Sequence, residues 1–119
     1  MPTMVDRAEP LDHFRALSRR PVSLSAVMSH GDGSWKRPAR VLDLSLGGAC
    51  MELHEAVPNG TSISLAVEAP HLWDPLFLEG EVVWLHVLDG AARVGVHFRH
   101  RSGRTLRRLT ELLEAEAYA

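Results

Sequence analysis

An acid, a hydroxyl and two glycines stand together in Asp43-Leu44-Ser45-Leu46-Gly47-Gly48, directly after Ala39-Arg40-Val41-Leu42. A carboxylate accepts the N–H donors on the edge of a base, a hydroxyl donates or accepts, and glycine turns the chain sharply. Upstream, Arg15 and Arg19 have Arg-x-x-x-Arg spacing, with Arg20 adjacent. A guanidinium pairs bidentately with phosphate or with the O6/N7 edge of guanine, and stacks on a purine. Acid, hydroxyl and arginines together suit a nucleotide. Each set also has a plainer reading. Arginines on an arm can be solvated charges, and Asp with Ser two residues on is a common hydrogen-bonded turn.

Composition narrows the field. At 119 residues the chain is expected to form one domain. Its net charge of −2 argues against bulk binding of DNA or RNA. Of thirteen basic residues only Lys36 is lysine. That bias also follows from a GC-rich genome, so position has to decide the role of each arginine. No apolar run approaches the roughly 20 residues of a membrane span, so no membrane insertion is expected. Residues 1–10 lack the apolar core of a signal peptide, and a cytoplasmic location is expected. The seven histidines form no Cys/His cluster and no His-x-x-x-His pair, which gives no metal site. No nucleophile motif of the Gly-x-Ser-x-Gly type occurs, and no catalytic residue is assigned. The lone Cys50 permits no internal disulfide and is expected as a small core residue.

The positioning elements follow from periodicity. Residues 1–18 have weak periodicity and mixed charge, and read as an arm with one helical turn around Leu11–Leu17. From Pro21, Val22, Leu24, Ala26 and Met28 alternate with Ser23, Ser25 and Val27, a half-buried strand. A turn at His30–Ser34 leads to a second strand, Pro38–Leu44, and after Gly47-Gly48 a third, Ala49–His54. Pro58-Asn59-Gly60 turns into a fourth strand, Ser62–Val67, and a loop at Glu68–Leu76 follows. Phe77–Val87 is a long strand with an expected bulge or bend at Gly80. Asp89-Gly90 is a hairpin turn, and Arg93–Phe98 returns. After Ser102, an N-cap, Leu106, Leu109, Leu112 and Leu113 fall at helical spacing. Six antiparallel strands leave exposed edges unless they close on themselves. The expected fold is therefore all-β with a C-terminal helix, a six-stranded antiparallel β-barrel.

At this level the sequence resembles the PilZ domain, the bacterial receptor domain for cyclic di-GMP. Arg15-Ala16-Leu17-Ser18-Arg19 is similar to the family's Arg-x-x-x-Arg element, and Asp43 to Gly48 to its Asp/Asn-x-Ser-x-x-Gly element. Gly80-Glu81-Val82-Val83-Trp84, answered by Gly95-Val96-His97-Phe98, resembles its late hairpin. The likeness spans roughly Phe14 to Leu113. Pro21-Val22 sets the register that assigns Arg19, not Arg20, to the motif. Members often carry two arginines at the first position, and Phe14 stands there in this chain; Arg20 is the candidate replacement.

The resemblance implies an arm over residues 1–13 and a PilZ domain over 14–119, with the barrel at about 20–99 and the helix at about 102–117. It implies a cyclic di-GMP site of Arg15, Arg19, Arg20, Asp43, Ser45 and Gly48. Arg15 and Arg19 hold phosphate or guanine, Asp43 and Ser45 contact the base, and Gly48 lets the backbone approach the ligand. Trp84 reads as core or barrel wall and Gly95 as a close-packing position. The implied function is a single-domain receptor and adaptor. Its ligand orders the arm over the barrel and makes a surface for an unidentified downstream protein. The alternative is a PilZ-like interaction adaptor without nucleotide. A monomer and a homodimer both remain open.

Overall fold

Residues 19–117 are described by the computed structural model. The arm over residues 1–13, the helical turn around Leu11–Leu17 and Arg15 lie outside them. Six strands form in chain order: β1 (Arg20–His30), β2 (Lys36–Leu44), β3 (Gly48–Leu53), β4 (Ser62–Glu68), β5 (Leu76–Leu88) and β6 (Ala91–Phe98). One helix, α1 (Gly103–Ala117), ends the described chain. Every neighbouring pair is antiparallel, and the order β1-β2-β3-β6-β5-β4 closes into a barrel.

The period-2 alternation decides which residues face inward. Leu24, Ala26 and Met28 of β1 are buried while Ser23, Ser25 and Val27 are exposed. Ile63, Leu65 and Val67 of β4 repeat the pattern. The interior is filled by side chains of all six strands, with Met28, Met51, Leu65, Leu76 and Leu78 almost fully covered. Each such side chain contributes about 1.5–3 kcal/mol relative to exposure. Leu109, Leu112 and Leu113 of α1 join the same core and seal one end of the barrel. Ser102 caps the helix, its Oγ accepting from the Thr105 N–H at 3.2 Å.

Three expectations change in detail. Gly80 keeps unbroken register with both Ile63 and Phe98, so no bulge sits there. A Cβ at Gly80 would run into the His97 carbonyl, which explains the glycine. The irregularity in β5 falls between Val82 and Trp84 instead, and leaves Val83 and Trp84 both exposed. Cys50 is not a core residue: Ala49, Met51 and Leu53 take the inward positions of β3, and Cys50 lies half-buried on the outer face. Pro38 lies within β2, where residues before Arg40 pair with β1 alone. Proline has no N–H to lose on that unpaired side.

Candidate functional site

The site residues gather where β1 begins, β2 ends and β3 begins. Antiparallel pairing makes this juxtaposition unavoidable: Arg20 lies opposite Leu44, Pro21 opposite Asp43, and Asp43 opposite Cys50. Arg19 immediately precedes β1, and its Nη1 donates to Asp43 Oδ1 at 2.8 Å across 24 residues of sequence. The same Oδ1 accepts the backbone N–H of Cys50 at 3.1 Å. Among the described residues Oδ2 of Asp43 has no hydrogen-bond partner. A partly exposed carboxylate with one oxygen uncommitted among the described residues thus lies beside an exposed guanidinium.

Ser45 has a different position from that expected of a base contact. It is 5% exposed. Its Oγ accepts from the N–H groups of Gly47 at 3.2 Å and Gly48 at 3.1 Å, and donates to the Gly48 carbonyl at 3.2 Å. The Ser45 N–H adds a bond to the same carbonyl at 2.9 Å. A hydroxyl has one donor and two acceptor sites, and all three are used. Ser45 builds the corner that carries Asp43.

Gly48 also differs from the expectation that it opens the backbone to a ligand. It begins β3, is buried, and a Cβ there would collide with the Val96 carbonyl of β6. Close packing of β3 on β6 therefore requires this glycine. Gly47 is the one that faces open space. The corner is pinned from below, with the Gly47 carbonyl accepting the Phe98 N–H at 2.9 Å and the Leu46 carbonyl 2.5 Å from His100 Nε2. Movement of this turn would be felt by the segment that leads into α1.

One residue that sequence reasoning left in the core or the barrel wall belongs to this surface. The pairs continue from Asp43 to Cys50, from Cys50 to Gly95 and from Gly95 to Trp84. The Trp84 indole folds over Gly95, where any Cβ would strike it, and is 38% exposed. Two interstrand spacings, about 10 Å, separate Asp43 from Gly95. An aromatic face thus lies within reach of the carboxylate on one outer wall. The signal in sequence was a tryptophan in a strand answered by a glycine, the usual mark of a ring lying across a neighbouring strand.

Burial raises the pKa of the Cys50 thiol between these groups, and the Asp43 carboxylate adds to the shift. Such a shift favours the neutral thiol over the nucleophilic thiolate. A groove of about 440 Å³ continues along the same wall, lined by Ser23, Ser25, Arg40, Glu52 and His54 among others. Among the described residues no group of three or more His, Cys, Asp or Glu side chains could hold a metal ion. No described helix is long and apolar enough to cross a membrane.

The fold and site define a small closed β-barrel domain with a polar corner, an arginine and an indole on its outer wall. The family profile of the PilZ domain matches residues 12–115, and the chain belongs to that family. No curated protein matches it significantly. Among solved structures it is similar to the PilZ domain of CeSA from a cellulose-synthesizing bacterium. The TM-score is 0.66 at 17% identity, over 84% of this chain and 98% of that one. It is also similar to the PilZ domain of YcgR from Escherichia coli with c-di-GMP, at TM-score 0.67 and 23% identity, over 85% and 92% of the two chains. A third likeness is to MotI/DgrA, the inhibitor of motility of Bacillus subtilis, at TM-score 0.67 and 12% identity. There the match covers 86% of this chain and 50% of the other. At these identities the likeness is one of fold.

Proposed function

We propose that this chain is a bacterial receptor for cyclic di-GMP that passes its signal to a separate protein. The observation that supports this most is the meeting of Arg19 and Asp43, 2.8 Å apart at one barrel rim, on the two motifs of the family. The PilZ domain of YcgR, of similar fold, was solved with c-di-GMP. In this reading Asp43 accepts guanine N–H donors on its uncommitted oxygen. Arg15, Arg19 and Arg20 hold phosphate or the O6/N7 edge, and the Trp84 indole offers a stacking face. Ser45 and Gly48 belong to the site as its frame: one shapes the turn and the other lets it press against β6.

The ligand would bridge the rigid corner and the chain before Arg19, ordering that arm across the rim and creating a new surface. Ordering costs about 1–2 kcal/mol per residue, so the gain must come from several charge-assisted bonds of about 1.5–3 kcal/mol each. Titration calorimetry with cyclic di-GMP tests the binding, and absence of heat at high ligand concentration defeats it. Hydrogen exchange over residues 7–20 tests the arm; protection unchanged by saturating ligand discards the ordering model.

A nucleotide-free adaptor is the second reading. What favours it is that Arg19 and Asp43 already offset each other's charge without a ligand. The same titration separates the two.

A further inference from the structure

The rim that carries the Asp43 corner also carries an apolar and cationic surface that the barrel does not use. β2, β4 and β6 end at this rim and β1, β3 and β5 begin at it, so the corner, the β4–β5 loop and the start of α1 are neighbours there. In that loop Trp73 is 101% exposed. Phe77, at the start of β5, is 65% exposed and shares a groove with Arg101 and Thr105. Leu106 has helical spacing with Leu109 and Leu113, yet those two are buried and Leu106 is not. The loop and helix are tied by Arg108, whose Nη2 donates to the Asp74 carbonyl at 3.4 Å.

The charges of α1 give the second observation. Its first turn holds no acid and its last turn no base. Arg104, Arg107 and Arg108 crowd the positive end of the macrodipole, and Glu114 and Glu116 the negative end. The arginine-to-glutamate pairs at helical spacing, Arg107 with Glu111 and Arg108 with Glu111, run in the weaker direction. Arg104 and Arg107 are exposed and make no ion pair among the described residues. Arg99 and Arg101 nearby are neutralised by Glu81 and Glu79. A helix that sets its charges against its own dipole, without internal compensation, has them placed for something outside it.

We propose that Trp73 and Phe77, with the α1 arginines Arg104, Arg107 and Arg108 as a cationic border, form the docking surface for an acidic protein segment bearing large apolar side chains. Exposed aromatics and arginine are the residue types that anchor protein interfaces. The cationic border selects the sign of the partner. An anionic membrane is the less fitting occupant: Asp74 adjoins Trp73, and a short segment can set its acids on the arginines and away from that carboxylate, whereas a continuous negative plane cannot. The proposal deepens the receptor reading, on which it rests only for dependence on the nucleotide.

The test uses fluorescent peptides in three forms: glutamate interleaved with leucine and phenylalanine, the same with lysine for glutamate, and the same with serine for the apolar residues. Anisotropy is followed with the parent chain, with Trp73→Ser/Phe77→Ser and with Arg104→Glu/Arg107→Glu. These exposed substitutions leave the melting temperature near that of the parent. The acidic apolar peptide is expected to bind the parent and to weaken by about tenfold or more in each variant. The Arg104→Glu/Arg107→Glu chain is expected to prefer the lysine peptide. Equal binding of the acidic peptide to all three chains overturns the proposal. So does capture of the parent by phosphatidylserine vesicles without any peptide preference. Repeating the series with and without cyclic di-GMP separates the two readings. Peptide selectivity without nucleotide binding would sink the receptor reading alone, and nucleotide binding without peptide selectivity would sink the docking surface alone.

Discussion

Replacing Asp43 by asparagine and by alanine separates what this carboxylate does for the fold from what it does for a ligand. In the folded chain it makes two bonds through one oxygen, to Arg19 and to the Cys50 N–H. The ion pair is exposed on the arginine side, so its contribution is about 0–1 kcal/mol. The bond to the Cys50 N–H is worth about 1 kcal/mol. Asp43→Ala loses both, about 1–2 kcal/mol, and melts roughly 4–16 °C lower at the scaling of about 4–8 °C per kcal/mol for a domain near this size. Asp43→Asn keeps a carbonyl acceptor for Cys50 and loses only the charge, so its melting temperature stays within about one such step of the parent. The ligand sees both changes alike. A bond between the carboxylate and a guanine N–H donor is worth about 1.5–3 kcal/mol, so both variants weaken cyclic di-GMP by about 10–150-fold. Calorimetric titration and thermal melts of the three chains, in one buffer, read both quantities. Asp43→Asn binding within about twofold of the parent would refute the reasoning, since charge would then be irrelevant at the place where it is said to matter.

The two neighbouring glycines should behave oppositely. Gly48→Ala drives a methyl into the Val96 carbonyl and is expected to cost at least about 1–3 kcal/mol in chemical denaturation, while Gly47→Ala, facing open space, stays within about 0.5–1 kcal/mol. Trp84→Ala should weaken cyclic di-GMP by about 1–3 kcal/mol if the indole stacks on a base, with little change in a mutant lacking ligand contacts elsewhere on the wall, such as Val87→Ala. The Cys50 thiol predicts an alkaline effect. Its folded pKa is raised, so between the ordinary thiol value and the raised one the folded chain holds a proton that the unfolded chain has lost. Stability therefore falls as pH climbs through that window, and Cys50→Ala should flatten the slope in denaturation series above the neutral range. A parent slope as flat as the variant's would contradict the assignment.

What the sequence made legible was whatever depends on period and spacing. The alternation in Ser62–Glu68 marks β4, and the switch to helical spacing after Ser102 marks α1. Strand closure brings Arg19 to Asp43. What stayed hidden depends on which neighbour crosses a given strand. Gly48 and Gly80 look like flexible points, yet each answers to a carbonyl on β6 that no local pattern announces. Cys50 has the composition of a core residue and the parity of a surface one. Ser45 stands at a motif position, and burial reserves its hydroxyl for the turn. Leu106 fits the helical stripe, but the stripe is wider than the barrel mouth it covers.

These placements divide the site into a fixed half and an adjustable half. The fixed half is the Ser45 corner, locked by its own hydroxyl and by bonds to Phe98 and His100 beneath it. Asp43 is aimed by the Cys50 N–H, and its ion pair holds Arg19 nearby at little energetic depth. A ligand arriving on the uncommitted carboxylate oxygen need not displace that bond: Arg19 uses one Nη on Asp43 and keeps its other donors for phosphate. In the proposed reading the pair would act as preorganisation, with the guanidinium already oriented for an anion. The fixed half also leads somewhere. Leu46 meets His100 two residues before the Ser102 cap of α1, and Arg108 of α1 is bonded to the Asp74 carbonyl of the loop that carries Trp73. A shift of the corner thus has a short covalent and hydrogen-bonded route to the surface proposed for a partner, without any strand leaving the barrel.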